Sequence, residues 1–238
     1  MSTTNTPAGS AETTTPTTPA DPAASAGVPS APARRGSIRA TAPLFGWRTV
    51  DLLTVTFLAV AFGVAYWGYD AFYNSPFVSG LSFGFQPLWG LFAGPWFLAG
   101  VVGGLVIRRP GAALFCEFVA ALVAMLIGNT YGASGLLSGL LQGLGAEAAF
   151  LVFGYGAFGL GAAVFAGALA APLEAVYEWF TWTKDWSFGW KLAYGAIMVV
   201  SGAVVAGAGG WALTKALARA GGLGAFPAGQ EVRERGAV

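Results

Sequence analysis

The chain has 238 residues and a formal net charge of +1; 55% of its residues are hydrophobic and only 10% are charged. With a mean hydropathy of +0.64, this is a membrane protein's composition, and the near-neutral balance speaks against nucleic acid as a partner. There is no histidine and one cysteine, Cys116, which excludes an intrachain disulfide and removes the residues on which most zinc, haem and triad chemistry depends.

Residues 1–43 are mostly Thr, Pro, Ala and Ser, with almost nothing large and apolar to bury, and are expected to form a disordered cytoplasmic tail. The basic start and uninterrupted apolar run of a signal peptide are not found before Leu44. Six apolar segments follow, at about residues 47–72, 81–107, 111–128, 134–154, 158–180 and 190–217, each near the length a helix needs to cross a bilayer. The expected fold is therefore an all-α membrane protein, a six-transmembrane-helix bundle over residues 44–220, followed by a short cytoplasmic tail at 221–238. Pro87 and Pro95 predict a kink or break in the second segment. The 36 glycines predict helices packed closely through small residues.

With six spans and the amino terminus inside, ten of the twelve basic residues are cytoplasmic and only Lys184 and Lys191 lie outside, a strong positive-inside signal. The outward ends carry a different chemistry. YWGYDAFYN, FGFQPLW, NTYG and YEWFTWTKDWSFGW are aromatic and sparsely charged, the pattern of an interfacial belt or of a ligand rim.

Ionisable residues inside a span cost roughly 2.5–3.5 kcal/mol, so they face a partner or a cavity. Glu117, Glu147 and Glu174 are the candidates. Glu117 and Glu147 are equidistant from Gly132 in the connection between the third and fourth segments, which places both about 22 Å below that connection in an antiparallel hairpin. Two carboxylates at one depth need a proton, a cation or a set of donors between them; the alternative is that they hold the bundle in register by hydrogen bonds. Gln142, Asn129, Tyr131, Trp67, Gln86 and Trp89 lie higher and form a candidate aromatic and amide rim over this carboxylate floor. For Gln142 and Asn129, interhelical bonding or capping is the competing role. Glu178 and Asp70 read as solvated groups near the surface.

In the first segment, Ala59, Ala61, Gly63 and Ala65 form overlapping small-xxx-small pairs that let another helix approach. Phosphate-loop, H-E-x-x-H and G-x-S-x-G motifs are not found. Neither an enzyme nor a cofactor is expected.

The runs RTVDLLTVTFLAVAFGVAYWGYDAFYN, LVIRRPGAALFCEFVAALVAMLIGNTYG and LLSGLLQGLGAEAAFLVFGY resemble the YkoE-type substrate-binding subunits (S components) of energy-coupling-factor (ECF) ABC transporters. The resemblance covers about residues 47–217. It implies a six-helix bundle in a bacterial plasma membrane that binds thiamine or hydroxymethylpyrimidine from outside, and works with a transmembrane coupling subunit (T component) and two cytoplasmic ATPases. It also implies that Ala59, Ala61, Gly63 and Ala65 meet the coupling subunit. The loop GYGAFG departs from the family in lacking arginines. With such a ligand, Glu117, Asn129, Gln142 and Glu147 become polar readers of an aminopyrimidine, and Trp67, Trp89 and Tyr131 stacking residues. Two other readings stand beside this one: a self-sufficient proton-coupled carrier using Glu117 and Glu147, and a scaffold whose carboxylates are structural.

Overall fold

The computed structural model describes residues 37–41, 43–81 and 84–236; most of the expected amino-terminal tail lies outside them. The described chain is all helical. Helix α1 (Thr49–Tyr73) begins where Asp51 accepts hydrogen bonds from the Arg48 backbone and guanidinium, an acidic cap on the positive end of the helix dipole. A short α2 (Pro76–Leu81) follows in the connection. The second expected span starts as two 3-10 turns, Gln86–Phe92 and Gly94–Phe97, and becomes regular only in α3 (Leu98–Ile107). Pro87 and Pro95 occupy the first turn of each 3-10 piece, where a missing N–H costs nothing. The break expected from the prolines is thus a change of helix type rather than a chain reversal.

Next come α4 (Ala112–Ile127), α5 (Ser134–Val152), α6 (Leu160–Thr181) and α7 (Phe188–Ser201). A π-helical stretch, Gly202–Gly209, joins α7 to α8 (Gly210–Arg219) without a turn. Among the described residues, five stretches are long and apolar enough to cross a membrane: Thr49–Tyr73, Gln86–Ile107, Ser134–Val152, Leu160–Thr181 and Phe188–Arg219. The remaining segment expected to span is α4, which has only 16 residues, roughly 24 Å of helix. Gly111 and Gly128, both left-handed, bound it, so glycine conformation rather than loss of hydrophobicity sets its length.

Helix α4 packs against α1, α3 and α5, while α6 lies between α5 and the π-helical stretch. The interior is lined mainly by small residues such as Ala59, Ala113, Ala120, Ala149, Ala163, Ala166 and Ala171, whereas Phe57, Leu126, Leu151, Val152, Phe180 and Val204 face outward. Large apolar groups outside and small ones inside suit lipid, because helices in a bilayer gain by close packing rather than by burying oil. At Gly63 an added Cβ would lie 2.5 Å from the Val123 Cβ of α4. Gly145 meets the backbone of α6 at Leu169 in the same way.

One end of the bundle is tied by charge. Arg109 Nε donates to the buried Asp51 at 2.7 Å, and its guanidinium also reaches the Pro43 carbonyl at 2.9 Å. Arg108, left-handed at φ 58°, donates to Glu231 at 2.5 Å and to the carbonyls of Leu105 and Ile38. Glu231 lies on α9 (Pro227–Gly236). Residues 221–236, expected to belong to a short cytoplasmic tail, thus fold back against the bundle with Leu223, Phe226 and Ala228 buried. Burial alone would raise the Glu231 carboxyl, but the hydrogen bond and charge of Arg108, with Lys215 beyond, hold it below the usual carboxylate range. The amino-terminal strand of chain crosses the same end, where Ser37 Oγ accepts from the Phe158 amide and Arg39 covers Gly156. The GYGAFG loop therefore has an arginine against it in space.

Candidate functional site

At the other end of the bundle lies a cavity of about 440 Å³. Periodicity explains how each helix reaches it. From α1 come Tyr66, Asp70 and Tyr73; from α5 come Gly135, Ser138, Gly139 and Gln142; and from α6 come Glu174 and Glu178. Spacings of three and four residues keep each set on one helix face. The connections supply Asn129, Tyr131, Trp182 and Trp186, the 3-10 turns supply Gln86, Trp89 and Trp96, and α7 supplies Tyr194.

Its polar groups are held in place. Glu117, 1% exposed, accepts from the Tyr66 hydroxyl at 2.9 Å and from the Gly100 amide at 2.6 Å. The same Tyr66 oxygen accepts from the Ala99 amide, so this carboxyl ties α1, α3 and α4 together beneath the cavity. Asp70 accepts from Trp96 Nε1 at 2.9 Å, and Glu178 from the Tyr194 hydroxyl. Asn129 uses its side-chain oxygen to accept from the Gly132 amide at 2.7 Å, fixing the turn before α5. Burial pushes the Tyr131 hydroxyl up to about 12, so it stays neutral near pH 7. Its ring stands edge-on to both Trp96 and Trp182. Trp89 Nε1 and Glu174 Oε2 are buried with no hydrogen-bond partner among the described residues.

Of the residues expected to bind a ligand, the cavity brings together Glu117, Asn129, Gln142, Trp89 and Tyr131. Glu147 and Trp67 are not among its lining. Glu147 accepts from the amides of Gly111, Ala113 and Leu114 at 2.7, 2.9 and 3.2 Å and from the Tyr155 hydroxyl. It therefore caps the start of α4. The equal depth expected for Glu117 and Glu147 is corrected by helix register: Gly143 packs on Glu117 and Gly139 on Ala121, which centres the hairpin near Thr130 rather than Gly132. The four-residue shift puts Glu147 level with Ala113. Trp67 is 46% exposed on the outer face of α1.

Asp70 and Glu178, expected to be solvated, belong to the cavity wall, and Asp70 is 2% exposed. The available signal was their periodicity with Tyr66 and Tyr73 on α1 and with Glu174 on α6. Of the four small residues on α1, Ala59 and Gly63 are buried against the chain itself, while Ala61 and Ala65 are exposed.

Comparison with known proteins matches these features to a family. The family model described as the permease component of an ABC-type cobalt transport system matches residues 50–173. The YkoE protein of Bacillus subtilis (strain 168), whose name describes it as an HMP/thiamine permease, is 33% identical over 193 residues, covering 79% of this chain and 94% of that protein. A crystal structure of an S-component of an ECF transporter superposes with a TM-score of 0.72 at 32% identity, covering 80% of this chain and 95% of the other.

Proposed function

This chain belongs to the YkoE-like family of ECF S components, and from that premise we propose that it captures thiamine or its hydroxymethylpyrimidine precursor for import. The observation that carries the reading is the cavity itself: aromatic walls, amide and carboxyl groups, and no basic side chain among the described residues that line it. An aminopyrimidine presents an exocyclic amine as donor and ring nitrogens as acceptors. The carboxyls of Glu117 and its neighbours and the amide of Gln142 suit the first, and the unpartnered Trp89 N–H suits the second. The flat ring has Trp89, Tyr131 and Trp182 to stack on. Cobalt, named by the family model, fits less well. The chain has no histidine, and among the described residues no three acidic or cysteine side chains are grouped closely enough to hold a metal ion.

In this reading the polypeptide crosses the membrane six times, α4 counting as a short span, with both termini in the cytoplasm and the cavity facing outward. Ten basic residues on one side against two on the other support it. The energy comes from two ATPase subunits acting through a transmembrane coupling subunit, and the exposed Ala61 and Ala65 face of α1 is where that subunit approaches. Residues 44–220 then form the binding domain, preceded by a tail.

The test is titration of the detergent-purified protein with thiamine and with hydroxymethylpyrimidine, following tryptophan fluorescence and heat. Saturable binding tighter than about 1 μM is expected for at least one of them. Folded protein that responds to neither would remove the substrate assignment.

A further inference from the structure

Among the described residues, the cavity wall holds four carboxyl groups, Asp70, Glu117, Glu174 and Glu178, and no lysine or arginine. Three of the four already receive a donor from the protein: Trp96 on Asp70, Tyr66 and Gly100 on Glu117, and Tyr194 on Glu178. Glu174 differs in keeping one buried oxygen without a donor among the described residues. It is only 3% exposed, it lines the cavity, and its Oε2 has no hydrogen-bond partner among the described residues. A buried carboxyl oxygen left without a donor is costly, so native proteins seldom keep one without a use. Ser138 and Gln142 on α5 hydrogen-bond to the Glu174 carboxyl without satisfying Oε2, and Glu178 lies one turn along α6; none of the three supplies positive charge. Aromatic side chains, Tyr73, Trp89, Trp96 and Trp182 among them, also line the wall, and the face of such a ring attracts a cation.

We propose that Glu174 seats the positively charged group of the ligand and so selects a cationic ligand over a neutral one that shares its ring. The inference rests on the cavity being the substrate site. Among the described residues, Glu174 Oε2 is the one carboxyl oxygen of this wall that is buried without a hydrogen-bond partner, and a cation that leaves water for this wall meets carboxyl groups and aromatic rings together. A neutral aminopyrimidine needs acceptors for its amine and a donor for its ring nitrogens, which the other carboxyls, Gln142 and the Trp89 N–H offer without Glu174. Loss of the Glu174 charge should therefore affect the two ligand types unequally.

The experiment compares thiamine, a permanent cation, with neutral hydroxymethylpyrimidine by calorimetry at pH 7.5 on wild type, Glu174→Gln and Glu174→Asp. The glutamine keeps shape and one acceptor oxygen while removing charge. It is expected to raise the Kd for thiamine on the order of a hundredfold, and that for hydroxymethylpyrimidine much less. The aspartate keeps the charge and is expected to keep the ratio of the two affinities. Equal losses for both ligands in the glutamine variant, no loss for either, or an aspartate ratio that moves as the glutamine ratio does would overturn the assignment. Thermal melting of each variant separates folding loss from binding loss. Wild type that binds neither compound would instead sink the substrate reading on which the proposal stands.

Discussion

Glu147 shows how little a buried acidic residue reveals of its role until its neighbours are known. Its carboxylate takes three amides at the start of α4, groups that a helix leaves unsatisfied and that lipid cannot satisfy. Removing it strands those donors. Glu147→Ala is expected to lower stability by about 2–4 kcal/mol while leaving ligand affinity within twofold, read by thermal melting and titration of the same preparation. A large affinity loss in a stable variant would place Glu147 in the site after all. Glu117 and Gln142 were legible as intramembrane polar groups because any such residue is expensive in lipid. Asp70 and Glu178 were not, since their distance from the segment ends suggested water. The donors that meet them, Trp96 and Tyr194, come from other elements.

At the scale of elements, the apolar runs marked the helices to within a few residues, because Gly and Pro bound them at Gly111, Gly128 and the 3-10 turns. Two short helices, α2 and α9, left no such mark: neither has a long apolar run, and α9 is held by Arg108, Lys215 and the buried Phe226. The small residues of α1 divide by face, as a helical period requires. Ala59 and Gly63 turn toward α4, and Ala61 and Ala65 turn away. Gly63→Leu is therefore expected to cost about 1–3 kcal/mol through overpacking, seen as a lowered melting temperature. Ala61→Leu is expected to leave melting and ligand Kd unchanged but to reduce uptake about tenfold or more in cells that also make the coupling subunit and ATPases. Normal uptake by the Ala61 variant would remove this face as the docking surface.

The helical bundle of the described residues is polarised: ion pairs close one end and the cavity sits at the other. Cysteine labelling in intact cells tests which end faces outward. The native Cys116 is buried, so background should be small. Lys184→Cys is expected to react with a membrane-impermeant maleimide, and Arg233→Cys only after permeabilisation; the reverse pattern would invert the topology and put the cavity inside. Composition determined that the chain enters a membrane, and the order of apolar and basic residues showed where its helices run and where positive charge gathers, because hydropathy and charge act residue by residue against lipid and water. The membership of the site depended on tertiary structure. A shift of one helical turn between α4 and α5 separates Glu147 from Glu117, and the facing of α1, α5 and α6 brings Asp70, Gln142, Glu174 and Glu178 into one wall. Helix register and rotation come from how glycines and alanines interlock across helices, a property of pairs of segments rather than of any single one.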